Sequence, residues 1–330
     1  MALNISKFII LTSSASSSHS IPLLGFGTAE YPFGSAENVK ERLLDAIQLG
    51  VRHFDSASLY QSEEPLGKAV AEALELGLIN SREALFISTK LWCSDAHGDR
   101  VVPALRRSLK NLGLEYVDQY LLHFPVTLKP GECKLPVLKE DLLPFDYDSV
   151  WKAMEECHKL GLAKQIGVSN FSCKKLEKLL SIAEIPPAVN QVEMNPLWQQ
   201  QKLREFCKEK GIHITAYSPL GYSPLGAKGS FWGTNRVMEC EVLHEIAKAK
   251  GKTLAQICLR WVHEQGVSVL VKSFKIERMK ENLDIFDWSL SVEELDKIRQ
   301  IPQKKGFPGL EFISPDGPYK SPEEFWDEEI

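Results

Sequence analysis

Four residues with chemistry-bearing side chains fall at, or just past, the ends of consecutive short apolar runs. Asp55 lies in His53-Phe-Asp-Ser-Ala and Tyr60 follows five residues later. Lys90 lies in Ile87-Ser-Thr-Lys-Leu, and His123 in Tyr120-Leu-Leu-His-Phe. A carboxylate paired with a lysine tolerates a nearly dry pocket. A cation beside a phenol favours phenolate, so the Tyr60 pKa is expected to fall from about 10. Together these groups would supply a proton donor usable near neutral pH. Taken singly, each residue has an ordinary explanation: a helix cap for Asp55, a surface lysine for Lys90, a half-buried aromatic for Tyr60, a satisfied core histidine for His123. At consecutive places in one pattern, the chemical reading is the stronger. One His, one Asp and one Lys do not make a zinc shell. No G-x-S-x-G marks a serine hydrolase.

The elements that must position these residues are legible as an alternation. Strands are expected over residues 21–28, 52–56, 84–91, 117–123, 165–169, 188–193, 212–218 and 268–272. Helical patterns fill 36–49, 63–76, 101–112, 147–160, 173–182, 199–210, 237–250, 254–265 and 279–286. Several helices close on a glycine (Gly50, Gly77, Gly161, Gly211, Gly251, Gly266), the usual stop chemistry. Eight strand–helix units in one chain predict an α/β fold, a closed (β/α)8 TIM barrel, with an open doubly wound sheet as the alternative. Against that alternative, Gly25-Phe-Gly27 continues as Thr28-Ala-Glu and makes no G-x-G-x-x-G. A barrel gathers its functional groups at the carboxyl ends of its strands, where the four residues fall.

No composition break divides the 330 residues, so one domain is expected, with an N-terminal extension over 1–20. The proline-rich stretch 125–144 and the irregular tail 302–330 are placed over the barrel mouth. Tyr217-Ser-Pro-Leu-Gly is repeated at once as Tyr222-Ser-Pro-Leu-Gly, read as a local duplication that lengthens a loop. A net charge of −5 carries no basic excess, and no nucleic-acid partner is expected. The seven cysteines are odd in number and form no C-x-x-C, which points to reduced thiols in a cytoplasmic protein. The N-terminal apolar run is too short for a signal peptide. No window approaches the roughly 20 apolar residues of a membrane span.

Longer motifs carry a family resemblance. Gly50-Val-Arg-His-Phe-Asp-Ser-Ala-Ser-Leu-Tyr-Gln-Ser-Glu with Leu66-Gly67, Gly161-Leu-Ala-Lys-Gln-Ile-Gly-Val-Ser-Asn-Phe and Val271-Lys-Ser-Phe resemble the aldo-keto reductase signatures. Asn190-Gln-Val-Glu-Met-Asn-Pro-Leu-Trp-Gln-Gln and Arg278-Met-Lys-Glu-Asn-Leu-Asp-Ile-Phe-Asp-Trp resemble the branch serving plant specialised metabolism. The resemblance spans nearly the whole chain. It implies NADPH as cofactor, no metal and a monomer, and it matches Asp55, Tyr60, Lys90 and His123 to the family's catalytic tetrad. Tyr60 would protonate the developing alkoxide, Lys90 would lower its pKa, Asp55 would hold Lys90, and His123 would orient the carbonyl oxygen.

The same resemblance implies a cofactor site. Ser169, Asn170 and Gln191 would bind the carboxamide. Tyr217 would stack on the nicotinamide, with Tyr222 as its rival, and Ser218 and Leu220 would meet the pyrophosphate. Lys272, Ser273 and Arg278 would hold the 2′-phosphate, and Glu281 and Asn282 the adenine, with Thr28 and Phe274 completing the set. A basic cluster of this kind favours NADPH over NADH. Substrate contacts are expected from Ala29, Glu30, Trp92, Phe124, Trp198 and Trp232, and from tail residues such as Phe312. Glu30 would suit a cationic amine. The expected activity is reduction of a ketone or aldehyde, on an alkaloid ketone of the tropane type or a nicotianamine-derived keto acid. The alternatives are a chalcone-type polyketide intermediate held on a synthase, or a non-enzymatic cofactor-binding regulatory subunit.

Overall fold

Each strand of a parallel sheet has two faces to bury, and a closed barrel covers one with side chains and the other with helices. The computed structural model, which describes residues 8–11, 19–34, 38–222, 233 and 236–330, realises that solution. Its barrel strands are β1 (Leu24–Gly27), β2 (His53–Asp55), β3 (Phe86–Leu91), β4 (Val117–Leu122), β5 (Ala163–Ser169), β6 (Val189–Glu193), β7 (His213–Tyr217) and β8 (Ser268–Val271). All neighbours are parallel, and β8 closes on β1 with Val269 opposite Leu24. The register sets Gly27 beside Asp55 and Ser169 beside Gln191.

Outside the barrel run α1 (Val39–Gln48), α2 (Glu63–Glu75), α3 (Val101–Leu112), α4 (Tyr147–Lys159), α5 (Cys173–Leu180), α6 (Gln201–Glu209), α7 (Glu241–Lys250), α8 (Leu254–Glu264) and α9 (Ile276–Leu283). After these come α10 (Val292–Arg299) and, within the tail, α11 (Pro322–Trp326). Helix α3 buries Val101, Ala104, Leu105, Ser108, Leu109 and Leu112, an i, i+3, i+4 stripe against the sheet. Gly67 lets α2 cross the end of α3 closely, since a Cβ there would lie 2.1 Å from the Leu112 carbonyl oxygen.

Three expectations need correction. Residues 21 and 22 belong to an antiparallel hairpin, Phe8–Leu11 with His19–Pro22, and the barrel strand begins at Leu24. The last expected helix lies earlier, over Ile276–Leu283. It stops there because the Gln256 amide donates to the carbonyls of Glu281 and Asp284 at 3.2 Å each, satisfying its open end. A helix outside the expected set, α10, fills the stretch between the last expected helix and the tail. Ser291 and Glu294 form a capping box that starts α10.

The hairpin seals the amino ends of the strands, where Ile21 packs with Phe86, Leu121 and Val189. Above it the barrel interior carries a polar layer. His213 Nε2 lies 3.0 Å from Ser268 Oγ, which is 2.8 Å from Thr215 Oγ1, and His53 Nε2 lies 3.3 Å from Ser88 Oγ. At the other end, the tail and the 125–144 segment build a second apolar cluster over the mouth. It includes Leu59, Trp92, Phe124, Phe307, Phe312, Phe325 and Trp326. Among the described residues, no helix is long and apolar enough to cross a membrane.

Candidate active site

Asp55 and Lys90 project from adjacent strands into the upper barrel. Lys90 Nζ donates to Asp55 Oδ2 at 2.5 Å and to the Ser56 carbonyl at 2.9 Å. Asp55 Oδ1 accepts from Ser88 Oγ at 3.1 Å and from Gln191 Nε2 at 2.8 Å. The Lys90 side chain is 0% exposed and that of Asp55 5%. A buried ion pair is tolerable when its remaining hydrogen-bonding capacity is filled, and three donors meet this carboxylate. Ser88 could have been found in the sequence, because it lies two residues before Lys90 and so shares its strand face.

Tyr60 ends a 3-10 turn, Ser58–Tyr60, just past β2. Ser58 Oγ ties the turn to the Lys90 carbonyl at 3.0 Å, and Gln61 leaves it at φ 57°. Glu63, at the start of α2, accepts from Thr89 Oγ1 at 2.7 Å and Asn111 Nδ2 at 3.0 Å, which fixes where the turn ends. Lys90 Nζ then lies 4.9 Å from the centroid of the Tyr60 ring, and the Tyr60 hydroxyl lies 3.2 Å from His123 Nε2. The two rings meet edge to face at 5.4 Å. The backbone N–H of His123 donates to the Leu91 carbonyl at 3.1 Å. Its ring stacks on Phe124 at 5.2 Å, and its buried Nδ1 has no hydrogen-bond partner among the described residues.

The electrostatics depart from the sequence expectation. Burial raises the Tyr60 pKa well above its ordinary value, and the Asp55 charge pushes the same way. The Lys90 ammonium does not reverse this, because it is spent on Asp55 and the Ser56 carbonyl. Burial also lowers the Lys90 pKa, opposed by Asp55. The His123 pKa is driven well below its ordinary value by burial and then by the Lys90 charge. A neutral phenol and a neutral imidazole therefore face each other beside a self-compensated ion pair. Such a phenol is still a proton donor to anything as basic as an alkoxide.

These groups open on a cleft of about 520 Å³, within the range of cofactor and substrate pockets. Ala29, Glu30, Asp55, Tyr60, His123, Phe124, Ser169, Asn170, Gln191, Tyr217, Ser218, Leu220, Tyr222 and Lys272 all line it, so most of the expected site converges. Both rival tyrosines are present. Asn170 and Ser218 sit on its wall with φ of 66° and 48°. Left-handed backbone at a non-glycine residue is costly and clusters at functional sites.

Other expected residues sit differently. Gln191 spends its amide N–H on Asp55. Asn170 donates to the His123 carbonyl at 2.9 Å and accepts from the Tyr217 hydroxyl at 2.7 Å. Glu30 faces Lys272 at 3.8 Å, and Lys272 also donates to the Ala29 carbonyl at 2.6 Å. The carboxylate expected to meet a substrate amine thus already has a cation. Thr28 is buried beneath the cleft, bonded to the Asp55 carbonyl at 2.9 Å and Ser62 Oγ at 2.6 Å. Ser273, Phe274, Arg278, Glu281 and Asn282 follow Lys272 in sequence, leading into and along α9, and are not among the cleft-lining residues. Trp92 is buried behind the His123 ring, which its own ring meets edge to face at 5.4 Å. Trp198 lies beside Lys305, 4.9 Å from its ring centroid. Trp232 and most of the second repeat copy, residues 223–226, lie outside the described residues. Tyr31, Phe33 and Phe307 line the cleft without having been expected to. Lone aromatics in loops carry no periodic signal.

Comparison with known proteins agrees with this geometry. The aldo/keto reductase family model matches residues 23–303. The chain is 62% identical over 315 residues to the (1S)-1,7-diacetoxy-luvungin A aldo-keto reductase of Citrus sinensis, covering 96% of each. It is 60% identical over 311 residues to deoxymugineic acid synthase 1 of Zea mays, covering 94% of this chain and 97% of that one. Among solved structures, an aldo-keto reductase of Bombyx mori in complex with NADP superposes with a TM-score of 0.78 at 36% identity, covering 90% of this chain and 93% of the other. With a closed (β/α)8 barrel and these relatives, the chain is an oxidoreductase that belongs to the aldo/keto reductase family.

Proposed function

We propose that this enzyme uses NADPH to reduce a ketone or aldehyde to an alcohol, with Tyr60 as proton donor. The observation that carries the reading is the 3.2 Å approach of the Tyr60 hydroxyl to His123 Nε2 at the wall of the cleft, beside the buried Asp55–Lys90 pair. The residues present suit the cofactor. Polar side chains (Ser169, Asn170, Gln191) share the cleft with an aromatic, Tyr217, and with a cation, Lys272. The backbone turns tightly between them, where the Gly221 N–H donates to the Ser218 carbonyl at 3.0 Å. The aromatic and the amides suit a nicotinamide, the turn over Ser218 and Leu220 suits a pyrophosphate, and Lys272 with Ser273 and Arg278 suits a 2′-phosphate. Thr28, Phe274, Glu281 and Asn282 would support that site from outside the cleft. The bound cofactor supplies the hydride.

The chain's own residues then do the rest. Tyr60 passes its proton to the oxygen of the reduced carbonyl. His123, uncharged, orients that oxygen by a hydrogen bond and stabilises the charge that develops there. Asp55 keeps Lys90 protonated, and Lys90 stabilises the phenolate left after transfer. The aromatic wall excludes water from the reacting atoms.

The substrate we propose is a neutral, largely apolar carbonyl compound. Tyr31, Phe33, Phe124, Tyr222 and Phe307 supply apolar wall, while the charges beside the proton donor, Asp55 and Lys90, are paired with each other. The Citrus relative, named for an acetylated luvungin, supports this reading. The Zea mays relative favours a second reading, a nicotianamine-derived keto acid. NADPH consumption with a panel of neutral apolar ketones and carboxylated keto acids tests both. The expected result is stoichiometric alcohol formation, with kcat/KM higher for the neutral ketones by about ten-fold or more. A preference for keto acids supports the second reading. No NADPH consumption with any carbonyl overturns the proposal.

A further inference from the structure

The carboxylates at the end of the chain are bound far more tightly than an ordinary surface tail. Asp327 accepts from Ser172 Oγ at 2.5 Å and pairs with Lys175, whose ammonium also donates to the Phe325 carbonyl at 2.7 Å. The Lys175 side chain is only 6% exposed. Glu329 accepts from the Cys173 N–H, at 3.2 Å to its nearer oxygen, and faces Lys202 at 3.5 Å. Both acidic groups therefore sit at the amino end of α5, where open N–H groups and the helix dipole favour negative charge. The backbone accepts φ of 52° at Asp327 and 65° at Glu328 to bring them there. Lys305 closes the arrangement, 3.6 Å from the centroid of the Trp326 ring.

What lies between this latch and the cleft is a continuous line of rings. Trp326 packs on Phe325 at 4.8 Å, Phe325 on Phe312 at 5.4 Å, and Phe312 on Phe124 at 4.7 Å. Phe124 stacks on His123 at 5.2 Å with only 14° between the planes. A second route joins Trp326 to Phe307 at 6.2 Å and Phe307 to Phe124 at 5.7 Å. Phe307 is itself held by Glu193, which accepts from its N–H at 2.9 Å. Among the described residues the His123 ring makes one hydrogen bond, through Nε2 to Tyr60, so the packing of Phe124 and Trp92 against it sets its angle.

We infer that Asp327, Glu329 and Lys175 are positioning residues for the reaction. By pinning the tail to α5, they set the aromatic stack against which His123 presents its nitrogen to the carbonyl oxygen. The inference rests on the role given to His123 above. The cofactor side of the cleft has bonds of its own, although the latch meets the chain at Ser172, two residues past Asn170. Ser169 Oγ donates to the Gln191 carbonyl at 2.8 Å and the Asn170 N–H to the same carbonyl at 3.0 Å, neither of which involves the tail. Loss of the latch should therefore alter turnover and spare cofactor affinity.

The test compares wild type with Asp327→Ala/Glu329→Ala, Lys175→Met and Lys175→Arg. The readouts are kcat and KM for one neutral aldehyde, and the NADPH dissociation constant from the fluorescence of the bound dinucleotide. The expected result is a kcat lowered about ten-fold in the double variant and in Lys175→Met, near the upper range for coupling through packed residues. NADPH affinity should stay within about two-fold, and Lys175→Arg, which keeps the cation, should recover most of the turnover. An unchanged kcat in the double variant overturns the inference. So does a joint loss of kcat and NADPH affinity that Lys175→Arg shares, since that marks a tail needed only for folding. A wild type that turns over no carbonyl fails the reading of the site itself, and this inference with it. An active wild type with indifferent variants fails only the inference.

Discussion

The barrel interior holds two polar layers built from similar residues, and they serve opposite ends. In the lower layer, His213, Ser268 and Thr215 bond to one another, and the layer is sealed below by the hairpin residue Ile21 and its neighbours. In the upper layer, Asp55, Lys90, Ser88 and Gln191 bond to one another just as fully, but Tyr60 and His123 stand in front of them on an open cleft. Burial keeps the histidines of both layers neutral. It lowers the pKa of His213 and His53 to about 4 each, and holds that of His123 well below its ordinary value. The difference between the layers is access. Buried polar groups that meet only each other hold the barrel together. The same kind of group, fronted by one half-buried phenol and one imidazole nitrogen on an open cleft, makes a place where a proton can be handed over.

The comparison breaks hardest at Tyr60. Tyr60→Phe removes the donor and little packing, so single-turnover reduction should slow by about 10³-fold while NADPH affinity and melting temperature hold. A variant that keeps wild-type rates would show that another group delivers the proton. Next in size is Lys90→Met, which strands a buried carboxylate. Chemical denaturation should show a loss of about 3–5 kcal/mol, with Lys90→Met/Asp55→Asn recovering part of the stability and none of the activity.

The lower layer should answer differently. His213→Gln leaves Ser268 a partner, so kcat should stay within about two-fold, but the acid limb of stability should flatten. The folded pKa of His213, about 4, lies below its ordinary 6.5. The unfolded chain therefore takes up that proton first, and the stability present above pH 6.5 is lost as pH falls toward 4. That histidine accounts for at most about 3 kcal/mol of the decline. Urea titrations of both proteins across that window measure it, and parallel curves would show that His213 is not buried in the neutral form.

Much of this was legible before any coordinates. The strands are readable because each is a short apolar run ended by a polar residue, and the convergence of Asp55, Tyr60, Lys90 and His123 because all four follow the ends of consecutive barrel strands. Boundaries slipped where a side chain from elsewhere finished an element, as the Gln256 amide does at the end of α9. The acidity expected of Tyr60 failed for a related reason. Adjacency in a pattern put a cation and its carboxylate near a phenol, but did not carry the burial that raises the Tyr60 pKa. Ser88 is legible through strand alternation, since it shares a strand face with Lys90. Tyr31, Phe33 and Phe307 were not readable, since loops and tail bring them to the cleft without a periodic signal. The latch at Asp327 depends on a contact between residues about 150 apart in sequence, which no local pattern carries.

The central claim is that burial holds both the Tyr60 phenol and the His123 imidazole uncharged while one compensated ion pair stands beside them. The pH dependence of kcat/KM for carbonyl reduction, in wild type and Tyr60→Phe, tests it directly. Neither group should titrate between the ordinary histidine and tyrosine values of 6.5 and 10.0, so the wild-type profile should be level across that interval. A break inside it that vanishes in Tyr60→Phe would mean that Lys90 acidifies the phenol after all, and would contradict the account.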